Sequence, residues 1–276
     1  MVQNQNLQNK IQTAAINSES SKFVMLTAHE MQIPITTLSW NLERLTKVLG
    51  DANNNEDVAK IMKRIKEANT RLVTLVEDLL NVAKLQEGAF LIAKRPMQLT
   101  EVARKALRSI ERESVQRGVV IKWSADPSQI PLTLGDPERL YQVVLNLLTN
   151  AIKYTPRNGV VTVTIRKTNE IAPPTAAGVV RSEGVQGEYV LCSVEDNGIG
   201  IPKDEQGQVF SQFFRGRKAV ATDEGGTGLG LYLVKTIVEQ HGGAIWFTSR
   251  EGYGTAFYFT IPVSNPYERP EGNISN

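Results

Sequence analysis

Residues 139–156 read RLYQVVLNLLTNAIKYTP, and the spacing of their apolar side chains predicts an amphipathic helix. The apolar face of this helix consists of Leu140, Val144, Leu147 and Ala151. The opposite face carries Asn146, Asn150 and Lys153. An ordinary solvated surface would explain such a polar face. Two carboxamides and an ammonium group also suit a partly hydrated Mg²⁺ bound to phosphates, so the helix is a candidate nucleotide-binding element.

Two glycine-containing segments follow downstream. In VEDNGIGIP, residues 194–202, an apolar strand ends at Asp196 and is followed by Gly198 and Gly200. The carboxylate can accept a hydrogen bond from an amino group such as that of adenine, although an ordinary turn is the alternative. In EGGTGLGLYLVK, residues 224–235, the start of a predicted helix offers backbone N–H groups to an anion. The glycines of this second segment are Gly225, Gly226, Gly228 and Gly230, and their spacing matches neither the Walker nor the dinucleotide-binding motif.

From Gly88 onward, short β-like runs alternate with helical stretches, which predicts a mixed α/β or α+β domain. The β-like runs are FLIAK, VVIKWSA, VVTVTIRKT, YVLCSVED, AIWFTS and TAFYFTIP. The helical stretches lie near residues 99–117, 137–153 and 229–241. Residues 169–187 are rich in Pro, Gly and Ala and are predicted to form a surface loop, and the tail 264–276 is predicted to be disordered.

The order and spacing of the three polar segments are similar to those of a known family. They resemble the N, G1 and G2 boxes of the ATP-binding domain shared by gyrase, Hsp90, MutL and the sensor histidine kinases. VFSQFFRG, residues 209–216, looks like the F box of the kinases, and the likeness as a whole covers roughly residues 97–263. It implies an α/β sandwich of the Bergerat (GHKL) type over residues 96–263, with ATP bound between helices under a mobile lid at about 211–226.

The same resemblance implies roles at the phosphates and the base of ATP. Asn150 would ligate Mg²⁺. Asn146 and Lys153 would face the phosphates, and Tyr154 would pack near the base. Asp196 would bind the adenine amino group. Further implied ATP contacts come from the glycine segments and are Gly198, Gly200, Gly226, Thr227, Gly228, Leu229 and Gly230.

The last strand and the lid add to this implied ATP site. Thr255, in GYGTAF, matches a threonine or serine that supports the adenine end. Gln212 stands where many F boxes carry Arg or Lys. Phosphate contacts from the lid would therefore fall to Arg215 or Arg217.

Upstream of Gly88, two heptad series predict an antiparallel helical hairpin over residues 22–88, with a turn at 50–56. The first series is Val24, Ala28, Met31, Ile35, Leu38, Leu42, Leu45 and Leu49, and the second is Val58, Ile61, Ile65, Ala68, Leu72, Leu75, Leu79 and Val82. An isolated hairpin buries little apolar surface, whereas two hairpins form a four-helix bundle, so we expect a homodimer through this region. Residues 1–21 are expected to be a weakly helical linker from an upstream sensor.

The first helix contains FVMLTAHEMQIPITTL, residues 23–38, with one of the chain's two histidines. The heptad register places His29 at an outward position with Glu30 beside it. A neutral imidazole can attack the γ-phosphorus of ATP, and a neighbouring carboxylate can orient the ring and take its proton. Pro34 would bend the helix within a turn of His29. A solvated surface histidine beside a tolerated kink is the alternative explanation.

The stretch FVMLTAHEMQIP resembles the H box of two-component sensor histidine kinases. The resemblance implies an ATP-dependent, autophosphorylating protein-histidine kinase that passes the phosphoryl group from His29 to an aspartate of a response regulator receiver domain. Ile33 replaces the Thr or Asn that places a hydrolytic water in the family, so phosphatase activity is expected to be weak or absent. Gln32 replaces the usual Arg or Lys, which removes a positive charge near the phosphorylation site.

An apolar row lies on the outward face next to His29 and predicts a contact surface: Leu26, Ile33 and Trp40. Docking of a response regulator and packing of the ATP-binding domain in a resting state are both compatible with it. The other histidine, His241 in EQHGGAI, is interpreted as a helix C-terminal cap without a chemical role. Two alternative functions stay open: a GHKL-type ATPase, and a nucleotide-binding dimeric scaffold without phosphotransfer.

The composition argues against several other classes of protein. Lys+Arg 31 against Asp+Glu 29 gives a formal charge of +2, so no strong field favours nucleic acid or an anionic membrane. The single cysteine, Cys192, excludes an internal disulfide and a cysteine zinc cluster, and its apolar context predicts a buried thiol. No apolar stretch approaches the roughly 18 residues of a membrane span. We therefore expect a cytoplasmic fragment without membrane contact, and any membrane anchor would belong to the full-length protein.

Overall fold

The structure, a computed structural model, describes residues 31, 35–43, 45, 56–86, 91–169, 187–217, 219 and 226–264. Its contacts divide the chain into two compact units. The first unit is Met1–Leu91 with Gly225–Leu229, and the second is Ile92–Glu224 with Gly230–Asn276. Within the described residues, no helix combines the length and the hydropathy that a bilayer crossing needs. The predicted linker 1–21 and almost all of the predicted tail lie outside the described residues.

The first unit contains the helical residues 35–43 and helix α1, Glu56–Gln86. Many of the heptad positions in these helices hold large apolar side chains that are between 37% and 55% exposed. These exposed positions are Met31, Leu38, Leu45, Ile61, Ile65, Leu72 and Leu75. The apolar stripe that predicts the hairpin is therefore largely uncovered within a single chain.

The contact between the two helices joins one heptad position of the first segment to side chains of α1 that lie next to the second heptad series. Ile35 packs against Val76 and Leu80, which are 1% and 8% exposed. One turn further along the first segment, Ser39 Oγ accepts a hydrogen bond from Asn69 Nδ2. Because the contacts move toward the start of α1 as the first segment advances, the two helices run antiparallel, as the heptads predict.

The second unit is built on a five-stranded sheet. Its strands, with a separate two-stranded ribbon, are β1 (Arg95–Met97), β2 (Val120–Ser124), β3 (Thr133–Gly135), β4 (Val160–Thr168), β5 (Tyr189–Asp196), β6 (Ile245–Arg250) and β7 (Gly254–Pro262). The sheet order is β2-β4-β5-β7-β6, and β1 pairs with β3. Strand β2 runs parallel to β4, and all other neighbouring strands are antiparallel.

Among the described residues of this unit, the second layer contains the helices α2 (Leu99–Arg117), α3 (Pro137–Tyr154) and α4 (Gly230–Gln240). Helix α3 packs between α2 and α4 and against β5, while α4 contacts β6 and β7. The predicted α/β sandwich is thus confirmed. Cys192 lies within β5 at 0% exposure, and burial raises the pKa of its thiol to about 12, which confirms the predicted core cysteine.

The start of α3 is fixed by its own sequence. Asp136 is the N-cap, and its Oδ1 accepts hydrogen bonds from the backbone N–H groups of Glu138 and Arg139 at 3.0 and 3.1 Å. Pro137 occupies the first turn, where a missing N–H costs nothing. This cap fixes where the helix begins, and the spacing of its apolar residues decides which side chains face the sheet.

Candidate active site

Helix α3 carries four of the predicted site residues. Its predicted apolar face is buried, with Leu140, Val144 and Leu147 at 0% exposure and Ala151 at 4%. Asn146, Asn150, Lys153 and Tyr154 are all half-buried. Asn150 Nδ2 donates to Asn146 Oδ1 at 3.1 Å, and this bond orients the Asn150 amide. The Oδ1 atom of Asn150 is then the one that can ligate a cation. The Lys153 ammonium lies 5.1 Å from the centre of the Tyr154 ring, within the range of a cation–π interaction.

Asp196 and Thr255 are brought together by the sheet register. They are Cα partners in the antiparallel pairing of β5 with β7. Asp196 Oδ1 accepts hydrogen bonds from the Gly198 N–H at 2.8 Å and from the Thr255 N–H at 3.3 Å. Two backbone donors on one oxygen fix the carboxylate in place, so Oδ2 is the oxygen directed to other partners.

The Asp196 carboxyl is 9% exposed, and its surroundings change its acidity. Burial raises its pKa to about 6, with a smaller contribution in the same direction from Glu195, while the two backbone hydrogen bonds from Gly198 and Thr255 act to lower it. A buried carboxylate with one saturated oxygen is poised to accept from an amino group, because such a bond replaces part of the lost hydration.

The glycines after Asp196 are required by close backbone contacts. A Cβ at Gly198 would lie 2.3 Å from the Tyr154 carbonyl oxygen. Gly200 has a φ of +63°, and a Cβ there would lie 2.1 Å from the Arg250 carbonyl oxygen. The Ile199 N–H donates to the Tyr154 carbonyl at 3.2 Å. This loop is thereby attached to the end of α3, which joins the predicted adenine and phosphate residues into one site.

Gly230 marks where α4 meets the polar face of α3. A Cβ at Gly230 would lie 2.3 Å from Asn146 Nδ2. Any larger residue would displace the Asn146 amide or the start of α4. The N-terminus of α4, where the first N–H groups have no partner within the helix, therefore begins beside the Asn146 amide, which is predicted to face phosphates.

The preceding glycine segment, residues 226–229, belongs to the first unit. Thr227 Oγ1 donates to Asp78 Oδ2 at 2.6 Å and accepts from the Leu229 N–H at 3.1 Å. Burial raises the pKa of Asp78, and the hydrogen bond from Thr227 partly offsets that rise. Gly228 has a φ of +71°, which a larger residue would adopt only under strain. The phosphate contacts predicted for this segment stay a prediction.

The two arginines of the lid differ in their contacts. Arg217 is held by acidic groups: its Nε donates to Glu205 Oε1 at 2.7 Å, and its Nη2 forms an ion pair with Asp204. Arg215 Nη2 donates to the Ala219 carbonyl at 3.3 Å. Arg217 is thus engaged by two carboxylates, and the phosphate contacts predicted for Arg215 or Arg217 stay a prediction.

The segment that resembles an F box contains three phenylalanines: Phe210 packs against the sheet, Phe213 is exposed and Phe214 is half-buried. Phe210 meets Phe247 and Phe257 edge-on, with ring centres 5.8 and 6.2 Å apart. Phe213 is 60% exposed and has a φ of +61°. The N-terminal part of the lid region is thus fastened to the sheet through Phe210.

The predicted phosphoacceptor stretch lies outside the described residues. This applies to His29 and Glu30 and to the departures at Gln32, Ile33 and Pro34. Of the apolar row next to the histidine, only Trp40 is described, and its side chain is 70% exposed.

His241, for which the sequence suggests no chemical role, is buried and bonds to residues of two helices. His241 is 2% exposed; its Nδ1 donates to the Ile237 carbonyl at 2.7 Å, and its Nε2 accepts from the Asp136 N–H at 2.9 Å. It sits at the end of α4, as the cap interpretation expects, but it also reaches the N-cap of α3. Burial lowers its pKa, as does Lys94, while the Ile237 and Asp136 contacts act in the opposite direction.

The sequence reasoning also missed two polar side chains beside the Asp196 loop. Ser249 Oγ lies 2.8 Å from both the Ile201 nitrogen and Thr255 Oγ1. Gln206 Nε2 donates to the backbone of the same neighbourhood. The only available signal was a serine at the end of the apolar run AIWFTS, which is too common a pattern to identify a site.

The donor set suits Mg²⁺-bound ATP. Across the described residues, no group of three or more His, Cys, Asp or Glu side chains is placed to hold a metal ion by itself. A cation here would therefore depend on the Asn150 amide and on the phosphates themselves, which is the usual situation for Mg²⁺ bound with a nucleotide. The Asp196 carboxylate matches the amino group of adenine.

Two family models match the sequence. The model described as "Histidine kinase-, DNA gyrase B-, and HSP90-like ATPase" matches residues 135–265, which include α3, Asp196 and Thr255. The model described as "His Kinase A (phospho-acceptor) domain" matches residues 19–88, which include His29.

Several curated proteins are similar in sequence to most of this chain. Sensor histidine kinase WalK of Bacillus subtilis is 32% identical over 254 residues, covering 92% of this chain and 38% of WalK. Adaptive-response sensory kinase SasA of a Synechococcus strain is 31% identical over 256 residues, covering 92% of this chain and 59% of SasA. The chain spans only 28% to 38% of the length of the first three curated relatives it matches.

Solved structures share the fold. Full-length ShkA, crystallised in complex with AMPPNP, matches with a TM-score of 0.65 at 24% identity, covering 88% of this chain and 46% of that one. Histidine kinase ThkA in complex with response regulator protein TrrA matches with a TM-score of 0.55 at 26% identity, covering 88% of this chain and 61% of that one.

Proposed function

The chain belongs to the two-component sensor histidine kinases, and we propose that it transfers the γ-phosphoryl group of Mg²⁺-bound ATP to its own His29. The phosphoryl group then passes to an aspartate on the receiver domain of a response regulator. The observation that carries this proposal is the site around Asp196, where the end of α3, the strand-end carboxylate and Thr255 meet within the second unit. The match of a phospho-acceptor family over residues 19–88 supplies the acceptor.

The base of ATP is recognised at the Asp196 end of the site. Oδ1 is saturated by the N–H groups of Gly198 and Thr255, so Oδ2 accepts from the adenine amino group. Guanine carries a carbonyl at the corresponding position, and two acceptors would then face each other. The site therefore favours ATP over GTP.

The phosphates lie along the polar face of α3. Asn150 ligates Mg²⁺ through Oδ1, and the ion neutralises phosphate charge when it is bound. Asn146 and Lys153 contact phosphate oxygens, and the start of α4 at Gly230 adds backbone N–H groups. Positioning and charge neutralisation dominate catalysis of this type of transfer, which suits a site made of amides, an ammonium group and a helix N-terminus.

The acceptor chemistry belongs to His29 and Glu30. A ring nitrogen of neutral His29 forms a bond to the γ-phosphorus while the bond from that phosphorus to the bridging oxygen breaks, and ADP leaves. Glu30 orients the ring and takes the proton that the ring loses. In the second step an aspartate oxygen of the receiver domain forms a bond to phosphorus while the bond from His29 nitrogen to phosphorus breaks. The ring takes a proton back from Glu30 or water, and so His29 leaves as a neutral imidazole.

The helical unit pairs with a second copy of the chain. The exposed stripe on α1 includes Ile61 at 55%, Ile65 at 40%, Leu72 at 49% and Leu75 at 37% exposure. Burying it against a second hairpin removes this apolar surface from water and completes a four-helix bundle. Trp40, at 70% exposure, is then available on the outside for a response regulator. A cytoplasmic location follows from this proposal, because both the nucleotide and the regulator are found there.

Phosphatase activity is weak or absent, because Ile33 has no hydrogen-bonding group with which to place a water. Mixing the chain and ADP with its phosphorylated regulator should leave the regulator's own dephosphorylation rate nearly unchanged. The variant Ile33→Thr should accelerate that rate. A wild-type chain that dephosphorylates the regulator many times faster than the regulator alone would contradict this part of the proposal.

Incubation with γ-labelled ATP and Mg²⁺ tests the kinase reaction. The chain should acquire label that is acid-labile and alkali-stable, as a phosphoramidate is, and His29→Ala should acquire none. Asp196→Asn should acquire label only at much higher ATP concentration. ATP turnover without labelled protein would instead indicate an ATPase, and nucleotide binding without turnover or label would indicate a scaffold.

A further inference from the structure

We propose that Ser249 and Gln206 are positioning residues that hold the adenine-binding carboxylate and its loop in the geometry required for ATP. The inference rests on the proposed function, because it takes Asp196 as the adenine contact. Neither Ser249 nor Gln206 is assigned a role by the resemblance to the kinase family. We call the pair the brace.

The hydroxyl of Ser249 joins the loop after β5 to the start of β7. It accepts a hydrogen bond from the Ile201 N–H at 2.8 Å. It also lies 2.8 Å from Thr255 Oγ1 and donates to the Gly254 carbonyl at 3.0 Å. Ser249 and Thr255 are Cα partners in the pairing of β6 with β7, so the contact is set by the register of the sheet.

Gln206 fixes the same loop from its other side. Its Nε2 donates to the Ile201 carbonyl at 3.0 Å and to the Ser249 carbonyl at 3.2 Å. The two backbone polar groups of Ile201 are therefore both held by the brace, the N–H by Ser249 and the carbonyl by Gln206. Gln206 is half-buried, which protects these bonds from competition with water.

The brace acts on the carboxylate through Thr255 and through the loop. The Thr255 N–H donates to Asp196 Oδ1, so a shift of Thr255 moves a donor that fixes the carboxylate. The loop held at Ile201 also contains Gly198, whose N–H is the second donor to Asp196 Oδ1. Ser249 contacts Thr255 directly, and it also contacts Ile201, which lies three residues after Gly198. Both N–H donors to Asp196 Oδ1 therefore depend on residues near Ser249.

Precise placement matters because the carboxylate is only 9% exposed. A buried acceptor that is displaced from its partner loses the hydrogen bond without regaining full hydration. Losing one well-placed hydrogen bond in such a site costs on the order of tenfold in affinity. A residue that served only the stability of the fold would change the melting temperature and leave ATP affinity of the folded protein as it was.

Titration calorimetry of Mg²⁺-bound ATP into the whole chain tests the brace directly. Ser249→Ala should raise the dissociation constant about tenfold, and Gln206→Ala should raise it several-fold. Ser249→Thr keeps the hydroxyl and should bind ATP within about threefold of wild type. Thr248→Ala is the matched control, since Thr248 is the neighbouring exposed residue on the same strand, and its affinity should be unchanged.

Kinetics and a double variant distinguish positioning from general damage. In the labelling reaction Ser249→Ala should raise KM for ATP with little change in kcat. Because Ser249 acts partly through Thr255, its effect should be smaller in a Thr255→Ala background. Wild-type ATP affinity of folded Ser249→Ala, or an equal loss in Thr248→Ala, would overturn the inference. Since calorimetry needs no phosphotransfer, a chain that binds ATP but gains no label would contradict the proposed function and leave this test intact.

Discussion

The two compact units bury their apolar side chains to very different extents. In the second unit, large apolar residues such as Leu140, Leu147 and Phe259 are 0% exposed. In the first unit, apolar residues such as Leu72 and Ile61 are 49% and 55% exposed. The second unit has a buried core of its own, whereas the described helices of the first unit display an apolar stripe that is typical of a contact surface. We therefore expect the proposed nucleotide site to depend on the core of the second unit, and association with a second copy to depend on the exposed stripe of the first.

Truncating a core residue of the second unit should give the largest effect. Leu147→Ala removes a fully buried side chain and should lower the free energy of unfolding by about 2–5 kcal/mol, independently of protein concentration. Leu132→Ala is the control in the same unit, since Leu132 is 51% exposed, and it should change stability by less than about 0.5 kcal/mol. Denaturant unfolding measures both variants. Equal, small losses would show that this unit lacks the tight core assigned to it.

A charge on the exposed stripe should affect association rather than the second unit. Leu72→Lys would place two unpaired ammonium groups in each dimer and should raise the dimer dissociation constant by roughly 100-fold or more. Thr70→Lys introduces the same charge on the other side of α1 and serves as the control. Sedimentation velocity over a dilution series reports the change. If Leu72→Lys dimerises as tightly as wild type, the stripe is not the dimer surface.

Neutralising the buried Asp196 carboxylate should weaken ATP binding and stabilise the folded protein. The folded state raises the pKa of Asp196 from 3.8 to about 6, so it holds a proton more tightly than the unfolded chain does. In the absence of ATP, the free energy of unfolding of the protein should therefore fall as pH rises from about 4 to about 6. Asp196→Asn keeps an oxygen for the two backbone donors and should stabilise the ATP-free protein at pH 7 by roughly 1–3 kcal/mol while weakening ATP binding. A variant less stable than wild type at pH 7 would contradict the assigned cause.

His241 should produce a smaller pH effect of opposite sign. Burial lowers its pKa below 6.5, so the folded state resists a proton that the unfolded chain accepts. Stability should therefore fall as pH drops below about 6.5, by at most about 1.4 kcal/mol per pH unit. Lys94, Asp136 and Glu239 are the charged groups around this ring or beside it on α4, and only the first two affect its pKa. Urea unfolding of His241→Gln across pH 5–7, compared with wild type, should show the loss of this slope, and an unchanged slope would assign it to another group.

Local patterns in the sequence predicted the parts of the site that depend on nearby residues. The polar face of α3 follows from helical periodicity and the Asp136 cap, and Asp196 follows from a strand that ends before glycines. The heptads likewise predicted two antiparallel helices. The sequence does not predict whether each apolar stripe is covered within one chain or by a second copy, because a heptad repeat does not distinguish these two kinds of contact.

The missed residues share long separations in sequence. Ser249 lies 48 residues from Ile201, and His241 lies 105 residues from Asp136. Such contacts depend on strand register and helix packing, which no short motif encodes. Arg217 and Glu205 are only 12 residues apart, but no short motif in the sequence predicts that their side chains pair.

The most direct test of the kinase assignment is a mass measurement of the chain after incubation with ATP and Mg²⁺. At neutral pH, peptide mapping should find a phosphoryl group on His29, absent from His29→Ala and strongly reduced in Asn150→Ala. This result would join the acceptor in the helical unit to the nucleotide site in the other. A phosphoryl group on any other residue, or none at ATP concentrations that saturate the Asp196 site, would contradict the account.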